Sequence, residues 1–140
     1  MDFVHFQKFQ KMLRRIEHLL KPAMLAVETL REGNKIKKGY QGAISGFGAS
    51  VMQMGLLPTL AVYSDQGSSA DIKRDKLLAA LHLIVKSEES KFSKKSTLIR
   101  ATDFLKEVFA LTDTEKEELQ VNILQASIAL KIAIRTFKLD

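Results

Sequence analysis

Between Gly39 and Ser64 the chain reads GYQGAISGFGASVMQMGLLPTLAVYS, a run without one charged side chain in a protein where 27% of the residues are charged. Tyr40, Ile44, Phe47, Val51 and Met54 recur in it at steps of four and three. At about 100° per residue they fall on one narrow apolar stripe, so the run reads as a helix. Gly42, Gly46, Ala49 and Ser50 occupy the other side, where small residues let a second backbone approach. Each glycine costs a helix about 1 kcal/mol relative to alanine, so several of them imply a packing reason. Gly55 suits a left-handed cap, and Pro58 suits the first turn of a following helix. The rest of the chain is expected to organise around this helix, either as plain core or with an added partner-docking role. A membrane span needs about 20 predominantly apolar residues, and the interspersed Gln41, Gly42, Ser45, Gly46, Gly48, Ser50, Gln53 and Pro58 exclude one here.

The chain is 140 residues long with 46% hydrophobic residues, which suits a single α-helical domain, 1–140, with a sizeable core. It contains no cysteine, which rules out disulfides, thiolate metal sites and a cysteine nucleophile and is compatible with a reducing cytoplasm. The opening MDFVHFQKF carries no apolar leader pattern, so nothing marks export and a cytoplasmic location is expected. The net charge of +6 favours acidic partners such as nucleic acid or an anionic membrane. Its excess lies at the front, where residues 1–38 hold nine basic against four acidic side chains.

Periodicity predicts about six helices and no strand, an all-α bundle. Asp2 can cap a first helix whose apolar face carries Phe6, Phe9, Met12, Leu13, Ile16, Leu19 and Leu20, while Lys8, Lys11, Arg14 and Arg15 take the other. Such a basic amphipathic helix is either a bundle helix with a solvated face or a segment for a membrane surface or partner helix. Pro22 is expected to kink or restart it, and Gly33-Asn34 to end its continuation. Lys35, Lys37 and Lys38 then precede the central helix, where an anion between the lysines and the helix N-terminus would gain from both. Residues 87–97, SEESKFSKKST, read as a basic loop holding Lys91, Lys94 and Lys95. Thr112 and Glu115 fit a capping box. The last helix carries two apolar stripes. Leu119, Ile123, Ala126, Leu130, Ile134 and Phe137 form one; Val121, Leu124, Ile128, Ile132 and Leu139 form a second on roughly the opposite side, with Lys131, Arg135 and Lys138 between them. A helix apolar on two sides is either buried in its bundle or partly covered by another protein; partial cover by a partner is the favoured reading.

Catalytic signatures are missing from the sequence. His5, His18 and His82 are scattered with no metal-ligand pair, and His82 beside a leucine-rich face reads as structural. Neither a phosphate loop nor a nucleophile elbow occurs, and Glu115, Glu117 and Glu118 sit where a helix N-terminus favours negative charge. No cofactor, metal or small-molecule substrate is expected, and no enzyme.

Tyr40 followed by Gly55-Leu56-Leu57 and Leu60-Ala61-Val62 resembles the aromatic and "NGL…ALAFL" signature of the small all-helical subunit of the Cmr (type III-B) CRISPR effector complex. Gln125-Ala126 through Leu130, Ile132 and Arg135 is similar to that family's C-terminal "EALAYLxWLKRFA" helix. The resemblance spans roughly residues 8–138. Met54 stands where the family has Asn, Gln125 where it has Glu, Ile132 where it has Trp, and Ile134 where it has the Lys of the "KR" pair.

The resemblance implies a non-catalytic subunit of an RNA-guided antiviral complex, stacked along the backbone subunit beside copies of itself and contacting guide and target RNA. Phosphate contacts would then be sequence-independent, because base pairing supplies the specificity. Arg135, which matches the motif, and Lys131 are expected to face phosphates, followed on charge alone by Lys35, Lys37, Lys38, Lys91, Lys94 and Lys95. The alternative is a basic helical module that binds a partner helix or an anionic membrane surface.

Overall fold

In the computed structural model, residues 2–64, 72–87 and 101–137 are described, and they form six helices. Helix α1 spans Phe3–Val27 and ends in a 3-10 turn at Glu28–Leu30; α2 spans Gly39–Met54, α3 Leu56–Tyr63, α4 Arg74–Ser87, α5 Ala101–Phe109 and α6 Asp113–Arg135. No strand forms among the described residues; Glu32 and Lys35 make only an isolated bridge across the turn at Gly33, whose φ is +64°. The all-α architecture expected from the periodicity is thus present.

Local chemistry sets the helix ends. Asp2 accepts a hydrogen bond from the His5 amide at 2.8 Å, which satisfies one of the donors left open at the start of α1. Thr112 and Glu115 form the reciprocal capping box at the start of α6, at 3.2 and 2.9 Å. Gly55 separates α2 from α3 with φ +90° and ψ 173°. This is not the left-handed helical cap expected but an extended conformation at positive φ that is essentially confined to glycine. It lets the Gly55 amide donate to Val51 at 2.9 Å before the chain turns into α3.

Pro22 does not restart α1. The helix stays continuous through it. A helical proline costs about 3 kcal/mol, but Ala23, Ala26 and Val27 beyond it are fully buried. Burying that face against the rest of the bundle offsets the lost hydrogen bond.

The hub of the bundle is α6, not α2. Helix α6 touches α1, α2 and α4, and α1–α6 is the most extensive helix pair. Ala126, Ala129 and Ala133 on α6 are fully buried and short, so neighbouring helices approach closely around it. Gly48 of α2 fits against α6, where an added Cβ would lie 3.8 Å from Ser127 Oγ. The expected stripe of α2 is buried at Tyr40, Ile44, Phe47 and Val51, whereas Met54 is exposed. On its small-residue side only Gly46 meets a neighbour closely: the Tyr63 hydroxyl lies 3.2 Å from where its Cβ would be and donates to the Ala43 carbonyl at 3.0 Å. Gly42 and Ala49 face outward.

Two glycines in this region should respond oppositely to alanine. Gly55→Ala should lose about 1–3 kcal/mol, because alanine is strained at that φ and ψ. Gly42→Ala, in a helix interior with open space around it, should gain about 0.4–1 kcal/mol. Urea unfolding of both variants reads the two signs directly.

Candidate nucleic-acid interface

The first three turns of α1 differ from the rest of that helix. The first buried side chain of α1 is Ile16, and Phe3, Val4, Phe6, Phe9 and Leu13 remain 72, 56, 48, 42 and 37% exposed. Residues 3–13 therefore form an arm whose apolar face is not covered by the described part of the chain. Arg15 Nη2 donates to Asn122 Oδ1 at 2.8 Å, and Thr136 Oγ1 lies 3.5 Å from Met24 Sδ. Both contacts advance along the two helices together, so α1 and α6 run in the same sense.

On the side away from its phenylalanines the arm is cationic. Lys8, Lys11, Arg15 and His18 follow one another at three, four and three residues, a row about 15 Å long at 1.5 Å per residue, with Arg14 beside it. Together with Met12 and Gln125 these residues line an open groove of about 550 Å³ between α1 and α6. Among the described residues no carboxylate lines it. The Asn122 contact holds one guanidinium in place at its inner end, and the Gln125 Oε1 atom is buried there without a hydrogen-bond partner. Such a surface matches a run of phosphates, which lysine meets as a point charge and arginine through its planar fork. This groove was missed by sequence reasoning as a nucleic-acid site. The helical spacing of its cations was visible, but Gln125 and Asn122 come from an element about a hundred residues away.

The residues expected from the sequence lie elsewhere. Arg135 is exposed and Lys131 half-buried, beside the outer apolar stripe of α6. Arg135 is ten residues beyond Gln125, about 15 Å further along the helix, so this pair extends the basic surface away from the groove. Lys35, Lys37 and Lys38 lie on the short segment before α2, pinned by the fully buried Ile36. Lys38 occupies the N-cap position of α2, which has no side-chain cap. Lys91, Lys94 and Lys95 lie outside the described residues. The basic residues expected to face phosphate thus sit on separate elements, whereas the groove gathers Lys8, Lys11, Arg14 and Arg15 beside His18, none of which was among them.

Negative charge tempers the segment before α2. The buried Tyr40 hydroxyl accepts a hydrogen bond from the Lys73 amide at 3.1 Å. Burial raises its pKa above the ordinary tyrosine value, the Lys73 amide partly opposes that, and the nearby Glu32 and Asp75 carboxylates raise it further. Arg31 also pairs with Glu28 at 3.1 Å. The three lysines there are therefore less dominant in the local field than their sequence implies.

A second cavity, of about 390 Å³, opens between α4, α5 and α6 over Val85, Phe104, Val108 and Leu119. Its rim holds Glu107, Glu115 and Glu118 against Lys86, the wrong sign for phosphate. The buried His82 places Nε2 3.2 Å from Glu107 Oε2 and its ring edge-to-face on Phe104, with centroids 4.9 Å apart. His82 thus has a packing role, as its leucine-rich surroundings suggested. Among the described residues no group of three or more histidine and carboxylate side chains is placed to hold a metal ion, and no helix is long and apolar enough to cross a membrane.

A family model described as CRISPR-associated protein Cas_Cmr5 matches residues 15–133, most of the chain. The chain belongs to the Cmr5 family. It is thereby a small subunit of the Cmr CRISPR complex, which agrees with the motifs at Tyr40, Gly55–Val62 and Gln125–Arg135. The match includes the buried body of this Cmr5 protein and stops short of the exposed aromatic turns of α1, which precede residue 15. No curated protein and no solved structure matches the chain.

The tyrosine environment has a measurable consequence. Tyr40 and Tyr63 both have pKa values raised above 10.0, first of all by burial. The folded state then holds its phenolic protons more tightly than the unfolded chain. Stability should be unaffected by these groups below pH 10 and should fall as pH rises beyond it. Thermal unfolding between pH 9 and 11.5 checks this: Tyr40→Phe should flatten the alkaline decline, and an unchanged slope would contradict the assignment.

Proposed function

We propose that this Cmr5 protein is a non-catalytic, RNA-contacting subunit that stacks along the backbone subunit of the complex beside copies of itself. In this reading it neutralises guide and target phosphates without reading bases. The observation that supports it most is the α1–α6 groove, where Lys8, Lys11, Arg14, Arg15 and His18 converge with no lining carboxylate among the described residues. Cations held at phosphate spacing on a rigid helix supply affinity that any sequence can use, while base pairing elsewhere in the complex supplies specificity. Lys131 and Arg135 extend the same role along α6, and Lys35, Lys37, Lys38, Lys91, Lys94 and Lys95 add charge from the loops.

The non-catalytic part of the proposal draws on how the ionisable groups are used. Glu115 caps α6, Glu107 answers His82 and Lys86, and Asp2 caps α1. Cleavage would then belong to other subunits, acting in the cytoplasm in defence against foreign nucleic acid.

The test is RNA affinity as a function of salt. For a single strand the slope of log K against log salt is about −0.7 per phosphate neutralised. A chain meeting three or four phosphates should therefore give a slope of about −2 to −3. The triple change Lys8→Gln, Lys11→Gln, Arg14→Gln should weaken binding at least tenfold at low salt and flatten the slope, equally for unrelated RNA sequences. Lys131→Glu with Arg135→Glu should weaken it as well. Salt-independent binding, or affinity unchanged by both sets, would contradict the phosphate reading.

A further inference from the structure

The cavity between α4, α5 and α6 runs against the character of the rest of the chain. The protein carries a net charge of +6, yet here Glu107, Glu115 and Glu118 face Lys86 alone. Beneath that rim the lining is apolar: Val85, Phe104 and Val108 are buried and Leu119 is half-buried. The carboxylates differ in what holds them. Glu107 lies 3.2 Å from His82 Nε2 and 3.9 Å from Lys86 Nζ. Glu115 accepts from the Thr112 amide at 2.9 Å, and its hydrogen bonds with Thr112 hold its pKa below the ordinary carboxylate value, so it stays ionised at neutral pH. Glu118, nearly one turn further along α6, is exposed and takes no part in that cap.

An occupant has to satisfy both halves of this cavity. Three carboxylates against one base repel phosphate. A wholly apolar side chain would strip water from those carboxylates and put nothing in its place, which is costly. A side chain with an apolar stem and a cationic head meets both demands, the stem on the floor and the head at the rim. Arginine does so with two parallel N–H donors for one carboxylate. The volume of about 390 Å³ has room for a second, large apolar side chain beside that stem. Apart from Asn122 the polar groups stand at the rim, an arrangement that suits side chains entering from another protein better than a free small molecule held by convergent polar groups. The arm of α1 does not present this pairing, because Lys8, Lys11 and Arg15 lie on the other side of it from Phe6, Phe9 and Leu13. Other subunits of a Cmr complex are available partners.

We propose that this cavity receives a basic segment of another Cmr subunit, with an arginine or lysine head against Glu107 and Glu118 and a large apolar side chain of the same segment over Phe104, Val108 and Leu119. The site goes beyond the phosphate reading and does not depend on it; it rests on membership in the complex and on the cavity's own chemistry. Asn122 lines this cavity and also accepts from Arg15 of the cationic groove at 2.8 Å. The two concavities therefore share Asn122 as a common wall, one of each sign, and a segment docked here lies beside the groove and not in it.

The test titrates the whole, fluorescently labelled chain with the other Cmr subunits assembled on guide RNA without it. Glu118→Lys reverses an exposed rim charge, and Ala110→Trp fills the mouth from an exposed position. Both variants should keep the wild-type circular dichroism and the wild-type affinity for free RNA, yet each should weaken incorporation about tenfold. A photoreactive side chain at position 110 should crosslink to another subunit, at a stretch where arginine or lysine stands within one helical turn of a large apolar residue. Changing that base to glutamate should weaken incorporation of wild type and restore that of Glu118→Lys. Variants that incorporate like wild type would overturn the site, as would a crosslinked stretch with no basic residue. A crosslink that stays within the chain, reaches a second copy of it or joins RNA would overturn it equally.

Discussion

Everything in this molecule depends on the contact between α1 and α6, the most extensive helix pair in the bundle. From Ile16 onward α1 buries a continuous face through Leu19, Ala23, Ala26 and Val27, and α6 answers with Ile123, Ala126, Ala129, Leu130 and Ala133. A fully buried large aliphatic side chain contributes about 1.5–3 kcal/mol, so this seam outweighs the proline within α1. It also sets the direction of the turns that precede it. A helix anchored over its last three turns carries its first three as a rigid extension, at far lower cost in conformational entropy than a loop of equal length. Arg15, bonded to Asn122 at 2.8 Å, marks where the anchored part begins.

That division gives the two ends of α1 different work. The anchored end is core. The arm has one apolar face and one cationic face, and the described part of the bundle covers neither. A cationic row fixed on a rigid helix can meet a polyanion without a large cost in ordering, which is the basis of the proposed phosphate contact. The opposite, aromatic face is too apolar to be explained by solvation, and a contiguous exposed apolar surface is how a protein meets a partner. Membership in the Cmr5 family supplies other subunits of a Cmr complex as partners.

Much of the fold was legible because it is local. Asp2, the Thr112–Glu115 box and the break at Gly55 announce themselves through capping chemistry, and the buried stripe of α2 follows from spacing alone. The same kind of reasoning left a restart open at Pro22, where burial of Ala23, Ala26 and Val27 goes with a helix that stays continuous. It also made α2 the centre, because an uncharged run looks more interior than α6 with its charges. Yet α6, with its three buried alanines, makes the most extensive helix contact in the bundle, the one with α1. The arm shows the deeper limit. Phe6, Phe9 and Leu13 share a period with Ile16 and Leu19, and nothing in that period says where the chain's own core ends and exposed surface begins. The second stripe of α6 was visible for the same reason, as an apolar face lacking a partner. The groove was not visible as a site, since it forms only when α6 brings Gln125 and Asn122 beside cations placed far earlier in the chain.

The most direct test of this account places a photoreactive side chain at one position at a time in the fully assembled, RNA-bound Cmr complex. A crosslinker at position 11 should join RNA, and one at position 6, on the other side of the arm, should join protein. Crosslinks from position 6 to RNA, or from position 11 to protein alone, would contradict the division of the arm into a phosphate-facing side and a protein-facing side.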